Sequence, residues 1–521
     1  MNRTLLTLGL LAVSATTLAQ QAPQQPFTLQ VTSQIVVLDV VVTNSKGEVV
    51  KNLTRDDFQI FENKKPQTIL SFEDATKAAA VAATPAPAIN STQELDAKEP
   101  DAPVSIIVLD ELTTKFEDMA FARYSLKKYL GTQGDTLTQP TMLVSANLRN
   151  LTVLRDYTTS KKEILDALDH HFAAFPWQAQ NPSWQGEQIG SAFASLMEVA
   201  EATNGHPGHK NMVWIGRGFP TVDTTNMDPD TADQFEQLIA KCANMLRDAR
   251  VTLYAVDPAG LSVEPPAQDE DGFYVESPFG GEVDFDEMAE ATGGQAFHGR
   301  NDVDSLIGAS VAGGVSFYTL TYRPTTVSQD PKEFRRIQVF MRDRNLHATT
   351  REGYFAATPP PDPALDAKGK PSGQLTFDLN VAGQSLMVYD GLQFAILRDP
   401  RKPDEYNLRV SGKDLVWQTR ADGKLTAQVA IAALTFDRKG KLLDHRVVLD
   451  DFGADAEGRE PRAVVVKVTM PSGPPVARLR FVLRSTGNGR VGAENVFLVD
   501  PKTLSGDDTG RNWNTGRSSR R

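Results

Sequence analysis

Val104-Ser105-Ile106-Ile107-Val108-Leu109-Asp110-Glu111-Leu112-Thr113-Thr114 is the stretch that decides the fold. Val104 to Leu109 is too continuously apolar for a strand with one wet face, so both faces must be covered. It ends on Asp110. Apolar residues then recur at helical spacing from Phe116 to Leu130, in Phe116, Met119, Ala120, Tyr124, Leu126 and Leu130. Further strand-like runs follow at Thr141 to Ala146, Asn211 to Ile215 and Val251 to Val256. Helical stretches at Lys161 to His171, Glu187 to Thr203 and Ala232 to Arg250 separate them. This alternation predicts an α/β doubly wound domain, a mostly parallel sheet with helices on both faces, over residues 104–325.

Outward from that domain the pattern changes on both sides. Val31, Ile35, Val37, Leu38, Val40 and Val42 belong to a strand-like segment that turns at Asn44-Ser45-Lys46-Gly47, which predicts a β module over residues 20–74. An Ala/Pro/Thr/Glu-rich linker is expected over 75–103. Strand-like segments at Phe317 to Tyr322, Arg335 to Met341 and His347 to Tyr354 follow the α/β pattern. Those within 326–357 are expected to complete the N-terminal module, because the strands of 27–73 are too few to close a core alone. A second linker is expected over 358–373. Short runs such as Leu375 to Val381, Leu386 to Tyr389, Leu425 to Phe436, Ala463 to Met470 and Ala477 to Leu483 then predict a C-terminal β-sandwich over 374–500. Residues 501–521 read as a disordered tail.

The 521 residues allow three or four domains at roughly 100 to 200 residues each. Fifty-four basic against 66 acidic residues give a formal charge of −12, the wrong sign for a nonspecific nucleic-acid binder. Residues 1–19 have the form of a secretory signal peptide: Arg3, an apolar run from Leu5 to Val13, then Thr17 and Ala19 before cleavage at Gln20. That run is shorter than the ~20 residues a spanning helix needs. The expectation is an exported protein, periplasmic or secreted. A single cysteine, Cys242, excludes an internal disulfide and a thiolate zinc finger.

Several segments carry a resemblance to a known family. They include Asp39-Val40-Val41-Val42-Thr43, Leu53-Thr54-Arg55-Asp56-Asp57-Phe58, Leu253-Tyr254-Ala255-Val256-Asp257-Pro258, Ala291-Thr292-Gly293-Gly294 and Tyr318-Thr319-Leu320-Thr321-Tyr322-Arg323-Pro324. In this order, over about residues 30 to 357, the chain resembles the von Willebrand factor A (VWFA)-related family of Acidobacteria. The resemblance implies a metal site at the strand C-termini, with an Asp-x-Ser-x-Ser motif, a Thr on a second loop and an Asp after the fourth strand. Asp110 and Thr114 match the first motif, and Leu112 replaces one ligand. Glu187 stands where the Thr would be, and Gly216 stands where the Asp would be. Thr113, Asp223, Asp228 and Asp230 offer substitute oxygens. Asp110 and Thr114 read equally as caps of the following helix, and Asp257 as a turn residue before Pro258. The expected cofactor is none, or weakly bound Mg²⁺ or Mn²⁺.

Other chemistry finds little footing. His206-Pro207-Gly208-His209 lacks the i, i+4 helical spacing of a zinc pair, and the adjacent His170 and His171 point different ways on a helix. Asp269-Glu270-Asp271-Gly272 lacks the spacing of a calcium loop. No Gly-x-Ser-x-Gly, Walker A or dinucleotide fingerprint occurs, and Cys242 lies in a helical run as a buried thiol. The expected function is a non-enzymatic interaction or adhesion module for a protein or cell-surface ligand, with no nucleic-acid partner. A metal-dependent hydrolase at the acidic edge loops and a structural envelope component are the alternatives.

Overall fold

Alternate burial along Val36–Asn44 (β1) turns one strand face inward, with Leu38, Val40 and Val42 fully enclosed. In this computed structural model residues 35–499 are described, apart from 75–86, 149–150, 174–183, 261–281, 315, 327, 329, 331, 357–364, 366–369, 421–422 and 456–457. The expected signal peptide and tail, and the Asp269-Glu270-Asp271-Gly272 segment, lie outside the described residues. After β1 come Phe58–Glu62 (β2), Lys65–Gln67 (β3) and Ile69–Asp74 (β4). The linker expected over 75–103 contains a helix, Thr92–Lys98, because Ser91 caps it through the Glu94 N–H at 3.2 Å and Leu95 is fully buried.

Eight strands follow: Val104–Asp110 (β5), Thr136–Ala146 (β6), Leu151–Ser160 (β7), Lys210–Ile215 (β8), Val222–Asp223 (β9), Val251–Val256 (β10), Glu282–Val283 (β11) and Ala296–Phe297 (β12). Six of them form one sheet in the order β12-β10-β8-β5-β6-β7, parallel except for the edge strand β7. The strand β7, unanticipated in the sequence pattern, is buried along nearly its whole length. Helix Phe116–Thr132 buries Met119, Ala122, Leu126 and Leu130 in one apolar cluster, and helix Pro229–Asp248 buries Ile239, Cys242 and Leu246 in another. The chain therefore leaves β5 and β8 toward different apolar layers, and the order reverses between these two strands. Such a reversal opens a crevice at the strand C-termini.

Next come Tyr318–Tyr322 (β13), Phe334–Met341 (β14), Leu346–Thr349 (β15) and Gly353–Phe355 (β16). The strand β13, expected inside the 104–325 domain, instead lies between β1 and β4 in the sheet β15-β1-β13-β4. A second sheet runs β16-β14-β2-β3. The two share one core of Leu38, Val40, Phe58, Ile60, Tyr318, Leu320 and Ile337, which explains the placement of β13: its Tyr318, Leu320 and Tyr322 fit that core. Glu62 joins the sheets as a buried acceptor of Arg335 Nε at 2.8 Å, Tyr322 at 2.6 Å and Tyr354 at 2.9 Å.

The segment Leu375 to Val381, expected as a strand, is helical over Gly373–Gln384. Its period-two pattern also contains Leu375, Leu379 and Ala382 at helical spacing. Ser372 caps the first turn through the Leu375 N–H at 3.1 Å, so the helix buries those three and leaves Phe377 exposed. Beyond it lie Tyr389–Asp390 (β17), Phe394–Arg398 (β18), Glu405–Ser411 (β19), Gln418–Thr419 (β20), Leu425–Phe436 (β21), Leu442–Gly453 (β22), Ala463–Thr469 (β23), Arg478–Ser485 (β24) and Val491–Phe497 (β25). They form the sheets β17-β25-β24-β21, with β20 and β22 also on β21, and β18-β19-β23. Among the described residues no helix is long and apolar enough to cross a membrane.

One carboxylate ties the first module to the α/β sheet. Asp39 of β1 accepts from Arg250 at 2.6 and 3.2 Å, from Thr319 at 2.8 Å, and faces His209 Nδ1 at 2.8 Å. Burial by itself pushes its carboxyl up, but hydrogen bonding and charge from His209 and then Arg250 outweigh burial and hold it well below the usual range. A depressed carboxyl contributes stability above its ordinary value of 3.8, and that contribution is lost as pH falls further. Asp39→Asn should therefore cost about 3 kcal/mol at neutral pH. It should also flatten the acid limb of the stability curve below about pH 4. Urea unfolding at several pH values checks both; an unchanged acid limb would refute the assignment.

Candidate functional site

Asp110 is the last residue of β5 and Gly216 the first after β8, so the strand reversal brings them face to face. Asp110 has no solvent exposure. Its Oδ1 accepts from the N–H of Leu112 at 2.8 Å and of Thr113 at 3.2 Å. Oδ2 accepts from the N–H of Gly218 at 2.8 Å and lies 2.9 Å from Thr113 Oγ1, whose single proton is shared with the Gly218 carbonyl at 2.7 Å. Burial pushes the carboxyl up, opposed by the Trp214 indole, by Thr113 and by the Leu112 and Gly218 N–H groups. The Trp214 N–H is near enough to favour the charge but outside hydrogen-bonding geometry.

Gly216 packs against this carboxylate. A Cβ there would stand 2.1 Å from Asp110 Cβ and 2.6 Å from both Asp110 Oδ2 and Thr114 Oγ1. A side chain at this position is excluded sterically, because the loop after β8 folds directly onto Asp110. At Gly218, φ is +68° and a Cβ would meet the Phe285 ring at 2.1 Å, so both glycines are needed for the close approach.

The residues proposed from sequence separate into two groups. Asp110, Thr113 and Thr114 converge with Gly216. Glu187 is exposed in the first turn of helix Gln185–Ala202, while its neighbour Gln188 reaches the loop and donates to the Leu112 carbonyl at 2.8 Å. Asp223 holds its own turn through Thr225 at 2.8 Å, and Asp228 caps helix Pro229–Asp248 through the Thr231 N–H at 3.0 Å. Asp230 is exposed in that helix's first turn.

A divalent cation needs several hard oxygens whose lone pairs are available. Asp110 has about four acceptor positions and faces four protein donors. Thr114 Oγ1 and Glu111 Oε2 are without partners among the described residues, but Glu111 is held by His171 through its other oxygen. Among the described residues no three His, Cys, Asp or Glu side chains form a group that could hold a metal. The residues present do not fit a resident Mg²⁺ or Mn²⁺.

Beside the locked loop lies a cleft of about 420 Å³, lined by Arg217, Phe219, Asp257, Phe285, Asp286 and His298. His298 stands 2.7 Å from Asp286 and 3.6 Å from Asp257. Asp257 first and then Asp286 hold its pKa up to about 10, making it a fixed cation at neutral pH. Asp257 accepts from the Ala259 N–H at 2.8 Å and stands 3.4 Å from Arg217 Nε. Sequence reasoning did not single out Arg217 or His298. The available signal was a charged residue between two glycines, Gly216-Arg217-Gly218, at the C-terminal end of a strand.

No protein-family model matches the chain, and no curated protein matches it. Among solved structures, the crystal structure of a manganese-loaded TRAP protein of Plasmodium vivax is similar at a TM-score of 0.23 and 12% identity. The similarity covers 49% of this chain and 94% of that one.

If Gly216 is a steric requirement, adding a carboxylate there must damage the loop. Gly216→Asp should lower stability by about 1–3 kcal/mol or more through overpacking against Asp110. It should create no affinity for Mn²⁺. Urea unfolding and a Mn²⁺ titration check this; a variant as stable as wild type that binds the ion would contradict it.

Proposed function

We propose that this chain is an exported protein-interaction module of von Willebrand A type, flanked by β-sandwich modules, that recognises a protein or cell-surface ligand without a bound metal. The observation that carries this reading is the pairing of a fully hydrogen-bonded Asp110 with an open cleft beside it. In the related domains a cation at this edge receives the partner. Here Arg217, 37% exposed at the cleft, is the group suited to a partner's carboxylate, and Asp257 restrains its Nε side. Phe219 and Phe285, packed edge-to-face at 5.3 Å and almost fully buried, form a rigid base beneath the cleft.

The hydrolase alternative lacks support from the same groups. A His298 protonated up to about pH 10 is a poor general base at neutrality. Cys242 is fully buried and its thiol is pushed up to about 12, which removes it as a nucleophile.

The reading predicts that immobilised protein captures a ligand from cell-envelope extract equally well in EDTA and in Mg²⁺. Arg217→Ala should weaken that capture about ten-fold or more, as loss of a central interface Arg does. Turnover of ester or phosphoester substrates, or capture that requires a divalent ion, would overturn it.

A further inference from the structure

The strand β22 is twelve residues long and pairs only with β21 among the described residues, so its outer edge carries unpaired backbone donors and acceptors. Natural edge strands are usually short, bulged or guarded by Pro or Lys. This one is long and contains neither Pro nor Lys; its register against β21 slips at Leu443, near one end, and it exposes Leu442, Leu443, Val447 and Val448. Those aliphatics lie on both sheet faces, since Val447 and Val448 are adjacent.

We propose that β22 is a self-association edge, pairing antiparallel with β22 of a second copy of this chain across a two-fold axis at Val448. A two-fold perpendicular to the sheet keeps each side chain on its own face, so the available registers differ in steps of two residues. Centred on Val448, the pairing sets Arg446 opposite Asp450 of the second copy, twice. On the other face Val447 meets Leu449 of the second copy, and His445 meets Asp451, also twice. Centring on Val447 would oppose Asp444 to Asp450, and centring on Leu449 would set Asp450 against Val448 and Asp451 against Val447. Centring on His445 would also pair Asp444 with Arg446 twice, but that register runs through the slip of β22 against β21 at Leu443, so the register centred on Val448 is the complementary one on the regular part of the strand.

Arg446 and Asp450 have no side-chain partner among the described residues, Arg446 is exposed and Asp450 is partly so. Asp451 already accepts from Gln428 at 3.1 Å and faces Arg420 at 3.6 Å, so the Arg446–Asp450 pairs carry the selectivity. Inward, Leu449 and Phe452 pack on the apolar clusters to either side of β21, which fixes the strand in place before any partner arrives. This inference concerns the C-terminal sheet alone and stands whether or not the cleft at Arg217 binds a ligand.

Sedimentation equilibrium of the full chain tests the proposal. Wild type should form dimers in the micromolar range. Arg446→Asp and Asp450→Arg should each weaken the dimer on the order of ten-fold or more, because each turns two attractive pairs into repulsive ones. The double variant Arg446→Asp/Asp450→Arg should recover wild-type association. An equimolar mixture of the two single variants should form heterodimers, which also shows that both are folded. Val447→Lys, which changes an exposed side chain, should weaken the dimer without lowering thermal stability. A chain monomeric up to about 100 μM, or a dimer indifferent to these reversals, would overturn the proposal.

Discussion

Asp110 is a carboxylate with no access to solvent, held at the point where the strand order of the central sheet reverses. A buried charge is tolerated only when its acceptor positions are filled. Two backbone N–H groups of its own loop, one from the loop after β8, and the Thr113 hydroxyl fill them. Filling them draws the 216–218 loop onto the end of β5, and that approach excludes any side chain at Gly216. The same approach seats the Gly218 backbone against Phe285, and Phe285 in turn forms a wall of the cleft. The open site beside the reversal therefore depends on the closed one within it.

Burial is repeated as a device elsewhere, with different partners and different consequences. Asp39 faces a guanidinium and an imidazole and is held ionised, which suits a joint between the first module and the N-terminal ends of β8 and β10. Glu62 accepts from an Arg and two Tyr hydroxyls contributed by both sheets of that module. Asp110 has only neutral donors, and its carboxyl is pushed up rather than down. Opposite shifts in similarly buried carboxylates follow from whether a cation is present among the partners.

The doubly wound sheet was legible because its strands carry unbroken apolar runs and its helices a 3.6-residue period, as at Val104 to Leu109 and Phe116 to Leu130. The edge strand Leu151–Ser160 escaped because Arg155, Asp156 and three Thr interrupt its apolar pattern, although those residues are buried and bonded within the fold. Gly373–Gln384 was misread because Leu375, Phe377, Leu379 and Val381 satisfy a two-residue period as well as a helical one, and the Ser372 cap decides between them. The Asp110 cluster was visible as a motif with gaps. That Gly216 closes the gap sterically, and that Gln188 rather than Glu187 reaches the loop, depended on contacts between segments far apart in the chain. The strand β22 was missed because its wet residues resemble a loop, and pairing along one side with β21 is what orders it.

Protein donors, and not a cation, satisfy Asp110. Isothermal titration of Mg²⁺ and of Mn²⁺ into wild type and Asp110→Ala tests it most directly. Neither protein should show saturable binding, and the variant should be less stable as the loop donors lose their acceptor. Stoichiometric Mn²⁺ binding in wild type that disappears in Asp110→Ala would contradict it.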